Sequence, residues 1–132
     1  MKKDSEATVQ ELKELVRDFV HERSWEKYHN PKDLAEAICV ETAELLEMFQ
    51  WVSPEEAASW KNAPSKLNRI REELADVFIY CLSMANVMDI NITEAVASKI
   101  KQNEKKYPLE KYYGKARLQR SLRWRSSIDA QE

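Results

Sequence analysis

The stretch AICVETAELLEMFQW, residues 37–51, decides how the chain is read. Its apolar residues fall nearly all the way round a helical projection, the pattern of a helix packed inside a domain. Glu41, Glu44 and Glu47 interrupt that pattern at successive three-residue spacings. Residues three and four apart share a helix face. The neighbours of Glu41 are then Ala37, Ile38, Glu44 and Leu45, and those of Glu44 are Val40, Glu41, Glu47 and Met48. The acids therefore lie in or beside the inward stripe. A carboxylate removed from water is costly unless it is paired or bound to a cation.

Working outward, the periodicity predicts four main helices. The first covers about Ser5 to Arg23, with Val9, Leu12, Leu15, Val16, Phe19 and Val20 as its stripe and Asp4 or Ser5 as its cap. Asn30-Pro31 marks a loop, and the second helix runs from there to about Trp51. Ser53-Pro54-Glu55-Glu56 starts a short helix, with Pro at the first helical position. A third long helix is expected from about Ser65 to Met88, and a fourth from about Thr93 to Lys106, stopped by Pro108. The fold class is all-α, a four-helix bundle. Residues 1–113 are read as one domain and 114–132 as a basic C-terminal tail. In that tail Arg117, Arg120 and Arg123 would share one helical face, suited to a partner subunit or an anionic ligand, with Arg125 beyond.

Composition narrows the function. A chain of 132 residues suits one domain and can bury about two thirds of its unfolded surface. One Gly and four Pro argue against a hairpin-rich β fold and against a Gly-rich phosphate loop. A net charge of -2 argues against general electrostatic binding to a nucleic-acid polymer or a membrane surface. Cys39 and Cys81 lie far apart in apolar helical patterns and are expected as buried small hydrophobes, with no CxxC spacing for zinc. The N-terminus shows no signal-peptide pattern, and the most apolar run, residues 77–90, is too short to span a bilayer. The expectation is a cytoplasmic protein.

The third helix carries a second acidic pair, Glu73 and Asp76, again three apart and again flanked by Ile70, Val77 and Tyr80. If the two helices pack antiparallel, Glu41, Glu44, Glu73 and Asp76 converge. Four carboxylates together share protons, pair with Lys or Arg, or bind a hard cation. Oxygen-only ligands select Mg²⁺, Mn²⁺ or Ca²⁺. A di-iron bundle would want E-x-x-H on two helices, and the only histidines, His21 and His29, are not at that spacing. Glu47 and Glu72 are read either as a further ligand or base, or as solvent-facing residues.

Three blocks occur in order: ERSWEKYHNPKDLAEAICVETAELLEMFQW (22–51), EELADVFIYCLSMA (72–85) and SKIKQNEKKYP (98–108). Together they resemble the MazG-like all-α nucleoside triphosphate pyrophosphohydrolases, closest to the dCTP pyrophosphatase branch. The likeness runs over roughly residues 15–115. The E-x-x-E and E-x-x-D pairs are separated by residues 45–72, 28 in all, at the long end of the family spacing. The resemblance implies Mg²⁺-dependent cleavage between the α and β phosphates, Mn²⁺ being a substitute, to a nucleoside monophosphate and pyrophosphate. It implies Glu41, Glu44, Glu73 and Asp76 as metal ligands. Trp25, Trp51 and Tyr80 would surround the nucleotide, with His29 in the W-E-x-[FY]-H motif. Lys99, Asn103, Lys106 and Tyr107 would face its phosphates and sugar. Members of this branch carry a His nine residues before the first Trp, where this chain has Val16.

The residue types suit these roles. A Trp offers a large stacking surface, and Lys99, Asn103 and Lys106 share a helix face. The plainer alternatives are core packing for Trp51 and Tyr80 and a solvated face for the lysines. The resemblance further implies a homodimer or homotetramer acting on (d)NTPs, with dCTP or a modified pyrimidine nucleotide as substrate. Two other readings stay open: a non-catalytic helical interaction module, and an all-α relative that hydrolyses dUTP.

Overall fold

The structure is a computed structural model that describes residues 2–115. Among these residues every regular element is helical: α1 (Val9–Glu22), α2 (Pro31–Glu47), α3 (Pro54–Ser59), α4 (Pro64–Val87), α5 (Ile92–Lys106) and α6 (Leu109–Tyr112). Short 3₁₀ turns at Glu26–Tyr28 and Trp60–Asn62 follow α1 and α3. No single helix among the described residues is long and apolar enough to cross a membrane. The chain forms two compact units, one up to Ile92 and one from Thr93 onward. The arginine-rich tail lies outside the described residues.

Helix starts follow local chemistry. The first helix begins at Val9, later than the expected Ser5. Thr8 forms a capping box in which its hydroxyl accepts from the Glu11 N–H and the Glu11 carboxylate accepts from the Thr8 N–H. Residues 4–6 instead make a separate turn, closed by the Glu6 N–H on the Lys3 carbonyl at 2.8 Å. Asn30 caps α2 and Ser53 caps α3, each followed by Pro at the first helical position. The second helix stops at Glu47, short of Trp51. Beyond it the backbone tightens, the Phe49 N–H bonding the Leu46 carbonyl and the Val52 N–H the Phe49 carbonyl.

In the first unit α4 is the central element, packed along α2 and against α1. On α2, Leu34, Ile38, Glu41, Leu45 and Met48 recur at alternating spacings of four and three, and all are buried or half-buried. On α4, Ile70, Glu73, Val77, Tyr80 and Met84 do the same. These two stripes form the seam, and Glu41 and Glu73 lie within it. Val16 and Val20 of α1 and Ala85 of α4 complete the buried apolar set with Leu34 and Trp60. Trp60 is core, its ring stacked on Phe49 at 5.3 Å. Cys39 departs from expectation. It is exposed because it falls between the turns of the inward stripe, one position past Ile38, while Cys81 is half-buried.

The second unit holds α5 from Thr93 onward and α6. Within it Tyr107 closes α5 through its N–H to the Asn103 carbonyl, and its ring meets Tyr112 edge-on at 5.2 Å.

Candidate functional site

The seam of α2 and α4 brings three of the four predicted acids together. One carboxylate oxygen from each of Glu41, Glu73 and Asp76 can be chosen so that all three lie within 4.8 Å of one another. Glu41 and Glu73 are half-buried and Asp76 is exposed, so the cluster opens to solvent on the Asp76 side. Burial pushes the Glu41 carboxyl above the usual carboxylate range, and the negative charges of Glu44, Asp76 and Glu73 push it further.

Glu44 stands at the rim. It is one position off the inward stripe of α2 and is exposed. It lines a cleft of about 340 Å³ with Glu47, Met48, Arg69 and Glu73. Glu73 thus belongs to both the triad and this cleft.

The donor set fits a hard divalent cation. All three ligands are oxygens, and ligand oxygens in a Mg²⁺ octahedron sit about 3–4 Å apart at bond lengths of ~2.1 Å. Small side-chain adjustments would bring the triad to that spacing. No Lys or Arg forms an ion pair with Glu41, Glu73 or Asp76 among the described residues.

One turn further along α4, Tyr80 is half-buried and its ring lies 6.2 Å from that of His29, at an interplanar angle of 25°. His29 is held by a 2.8 Å hydrogen bond between Nδ1 and the buried Ser83 hydroxyl. His29 and Ser83 form part of the wall of a second cleft, of about 370 Å³, which Arg17, His21, Glu26 and Asn86 also line. Trp25 packs edge-on against Phe19 at 5.8 Å, with the Arg23 guanidinium over the Phe19 ring at 3.7 Å. Trp51 lies in the turn after α2 and is 89% exposed, so it is not core in this chain. Val16, in contrast, is buried.

Lys99, Asn103, Lys106 and Tyr107 belong to the second unit, all of them exposed. Lys106 places its ammonium 5.2 Å from the Tyr107 ring centre. Two residues of α4 escaped the sequence reading, the buried Ser83 and the exposed Arg69. Both lie on a single 3.5-residue register through Glu73, Asp76 and Tyr80, and that register is the signal that could have found them.

A profile of the MazG-like family matches residues 37–117, a span that includes both carboxylate pairs. The chain is 34% identical over 112 residues to dCTP pyrophosphatase 1 of Bos taurus, covering 85% of this chain and 66% of that protein. It is 35% identical over 111 residues to dCTP pyrophosphatase 1 of Mus musculus, covering 84% and 65%. The chain therefore spans slightly less than two thirds of the length of these relatives. A crystal structure of a pyrophosphatase from Archaeoglobus fulgidus superposes with a TM-score of 0.69 at 40% identity, covering 82% of this chain and 99% of that one.

Proposed function

This chain belongs to the MazG-like family, and from that premise we propose that it is a Mg²⁺-dependent nucleoside triphosphate pyrophosphohydrolase. The observation that carries the reading is the convergence of Glu41, Glu73 and Asp76 from two helices onto one point. The substrate in this reading is dCTP or a modified pyrimidine nucleotide, by analogy with the dCTP pyrophosphatases it resembles. The products are the nucleoside monophosphate and pyrophosphate. The role is clearance of unwanted nucleotides in the cytoplasm.

Glu41, Glu73 and Asp76 would hold the cation, with Glu44 at the rim able to add a fourth carboxylate. When bound, the cation supplies charge neutralisation of the phosphates and a competent nucleophile at neutral pH; Mn²⁺ would substitute for Mg²⁺. Water attacks the α-phosphorus, and the bond from that phosphorus to the α–β bridging oxygen breaks. The oxygen leaves with pyrophosphate, and the proton of the attacking water passes to a carboxylate of the cluster. Tyr80 and His29 offer a flat surface for the base, with Trp25 and Trp51 as further aromatic faces. Lys99, Asn103, Lys106 and Tyr107 are assigned to the phosphates and sugar by the family resemblance alone. The catalytic domain in this reading is residues 1–113.

The active species is a homodimer or homotetramer. Leu15, Leu46 and Phe78 are 68%, 65% and 59% exposed in the single chain. Apolar residues that wide open are what a subunit contact covers.

The test is incubation of the full chain with a panel of ordinary and modified nucleoside triphosphates, with Mg²⁺ or with EDTA, and chromatography of the products. Monophosphate plus pyrophosphate, lost with EDTA, is expected. Asp76→Ala should lower turnover by about a hundredfold or more, the scale of losing one transition-state electrostatic contact, with its circular dichroism unchanged. Diphosphate plus phosphate would mean another bond is cut. No turnover of any nucleotide would leave a helical interaction module as the better reading.

A further inference from the structure

We propose that Arg69 is the anchor for the pyrophosphate end of the substrate, and that it fixes which way the nucleotide lies along α4. This rests on the activity proposed above but assigns a residue and an orientation that the reading does not contain.

Arg69 lines the 340 Å³ cleft with Glu44, Glu47, Met48 and Glu73, and it is the one cation there among the described residues. It sits one turn before Glu73 on α4, yet its side chain makes neither an ion pair nor a hydrogen bond with any described residue. Its side chain is exposed, so the guanidinium is available to a ligand. A guanidinium presents a planar fork of donors that matches phosphate oxygens two at a time. The carboxylates beside it would repel a polyanion. Arg69 supplies fixed positive charge on the side of the cleft away from the aromatic pair.

The order of residues along the helix gives the orientation. Arg69, Glu73, Asp76, Tyr80 and Ser83 alternate spacings of four and three. At about 100° per residue they fall within ~80° of one another, so they share one face. Each step of four advances ~6 Å along the axis. The acid triad is therefore flanked on one side by a phosphate-binding group and on the other by the Tyr80–His29 stack. A triphosphate laid along this face has its reacting phosphorus at the acids, its base at Tyr80 and its β and γ phosphates at Arg69. The opposite polarity would put the base against Arg69 and three carboxylates.

The experiment is isothermal titration of inorganic pyrophosphate, and separately of deoxycytidine monophosphate, into the full chain with Mg²⁺. Wild type, Arg69→Gln and Arg69→Lys are compared. Arg69→Gln is expected to bind pyrophosphate at least about tenfold more weakly, the scale of one lost charge-assisted contact. Arg69→Lys should recover part of that loss, and monophosphate affinity should hold in all three. Mg²⁺ titrated alone should bind Arg69→Gln at least as tightly as wild type. Pyrophosphate binding to Arg69→Gln within twofold of wild type would overturn the assignment. So would equal loss of pyrophosphate and monophosphate, or a wild type that binds no pyrophosphate. A wild type that binds pyrophosphate through Arg69 but turns over no triphosphate would support the anchor and sink the activity instead.

Discussion

His29 Nδ1 lies 2.8 Å from Ser83 Oγ, a hydrogen bond that joins the turn after α1 to the last turns of α4 across fifty-four positions of sequence. Ser83 is 3% exposed, and no buried side-chain polar atom among the described residues lacks a partner. A hydroxyl can turn to donate to an unprotonated imidazole nitrogen or to accept from a protonated one, so the bond survives either tautomer. It holds the ring that stacks on Tyr80.

Ser83→Ala removes that bond and leaves the His29 nitrogen half-buried without its partner. The expected loss of stability is about 1–2 kcal/mol, since an orphaned polar group costs more than an average hydrogen bond contributes. Urea unfolding at fixed pH measures it. With His29 free to rotate, the Michaelis constant for the triphosphate should rise more than kcat falls. An unchanged unfolding midpoint would show that the contact contributes nothing to the fold.

Crowding of Glu41 predicts a pH dependence of stability. Burial first, and then Glu44, Asp76 and Glu73, raise its folded pKa above the ordinary 4.5. At pH below 4.5 the carboxyl is protonated in both the folded and unfolded chain and contributes nothing. As pH rises from there through the raised folded value, the unfolded state releases the proton more readily and gains on the folded one. The metal-free protein should therefore lose stability over that window. Glu41→Gln should flatten the profile and melt higher than wild type at neutral pH without metal. Adding Mg²⁺ should raise the Tm of wild type more than that of the variant. Thermal melts across pH with EDTA check this, and a variant that melts lower than wild type at neutral pH would contradict it.

The exposed face of α4 predicts the consequence of charging it. Leu67, Leu74 and Phe78 lie on one stripe of α4 and are all exposed in the single chain. Phe78→Asp should shift the sedimentation coefficient from an oligomer to a monomer while leaving helix content unchanged. Fully burying a side chain of this size stabilises by about 1.5–3 kcal/mol, so one charged substitution at a two-fold contact is counted twice. Sedimentation of wild type as a monomer would remove the premise.

Two helices end on a residue other than glycine in the left-handed region. Ser24 follows α1 at φ 51° and Asp89 follows α4 at φ 52°. In each case the next N–H bonds a carbonyl five residues back, Trp25 to Val20 at 3.0 Å and Ile90 to Ala85 at 2.9 Å. This is the Schellman arrangement, in which glycine is the usual residue. A side chain there costs about 1–2 kcal/mol, less for Asp because its short polar group tolerates the region. Ser24→Gly should raise the Tm, and Asp89→Gly should raise it by less. A drop in both would mean that the side chains stabilise these turns.

Four long helices, the loop at Asn30-Pro31, the short helix started at Ser53-Pro54 and the stop at Pro108 were legible in the chain itself. Helix formation is local, governed by bonds four residues apart and by the period of apolar side chains. The same locality explains why both carboxylate pairs stood out. The misses were local too where two signals competed. Thr8 won the first cap over Ser5 because Glu11 could complete the box, and Asp4 to Glu6 had no such partner.

Which acids meet was a different kind of question. Spacing put Glu41 and Glu44 on equal terms, yet Glu41 enters the seam and Glu44 stands at its rim, because a step of three residues turns the helix by about 60° short of a full turn. Nothing within α2 says where its axis lies against α4. That register is set by how Leu34, Ile38, Leu45 and Met48 pack along Ile70, Val77 and Met84, contacts between residues far apart in sequence. The sequence by itself determined the helices and the chemistry available on each. Only the tertiary packing decided that Glu41, Glu73 and Asp76 share one point, that Arg69 lines a cleft with Glu44 and Glu73, and that Ser83 holds His29.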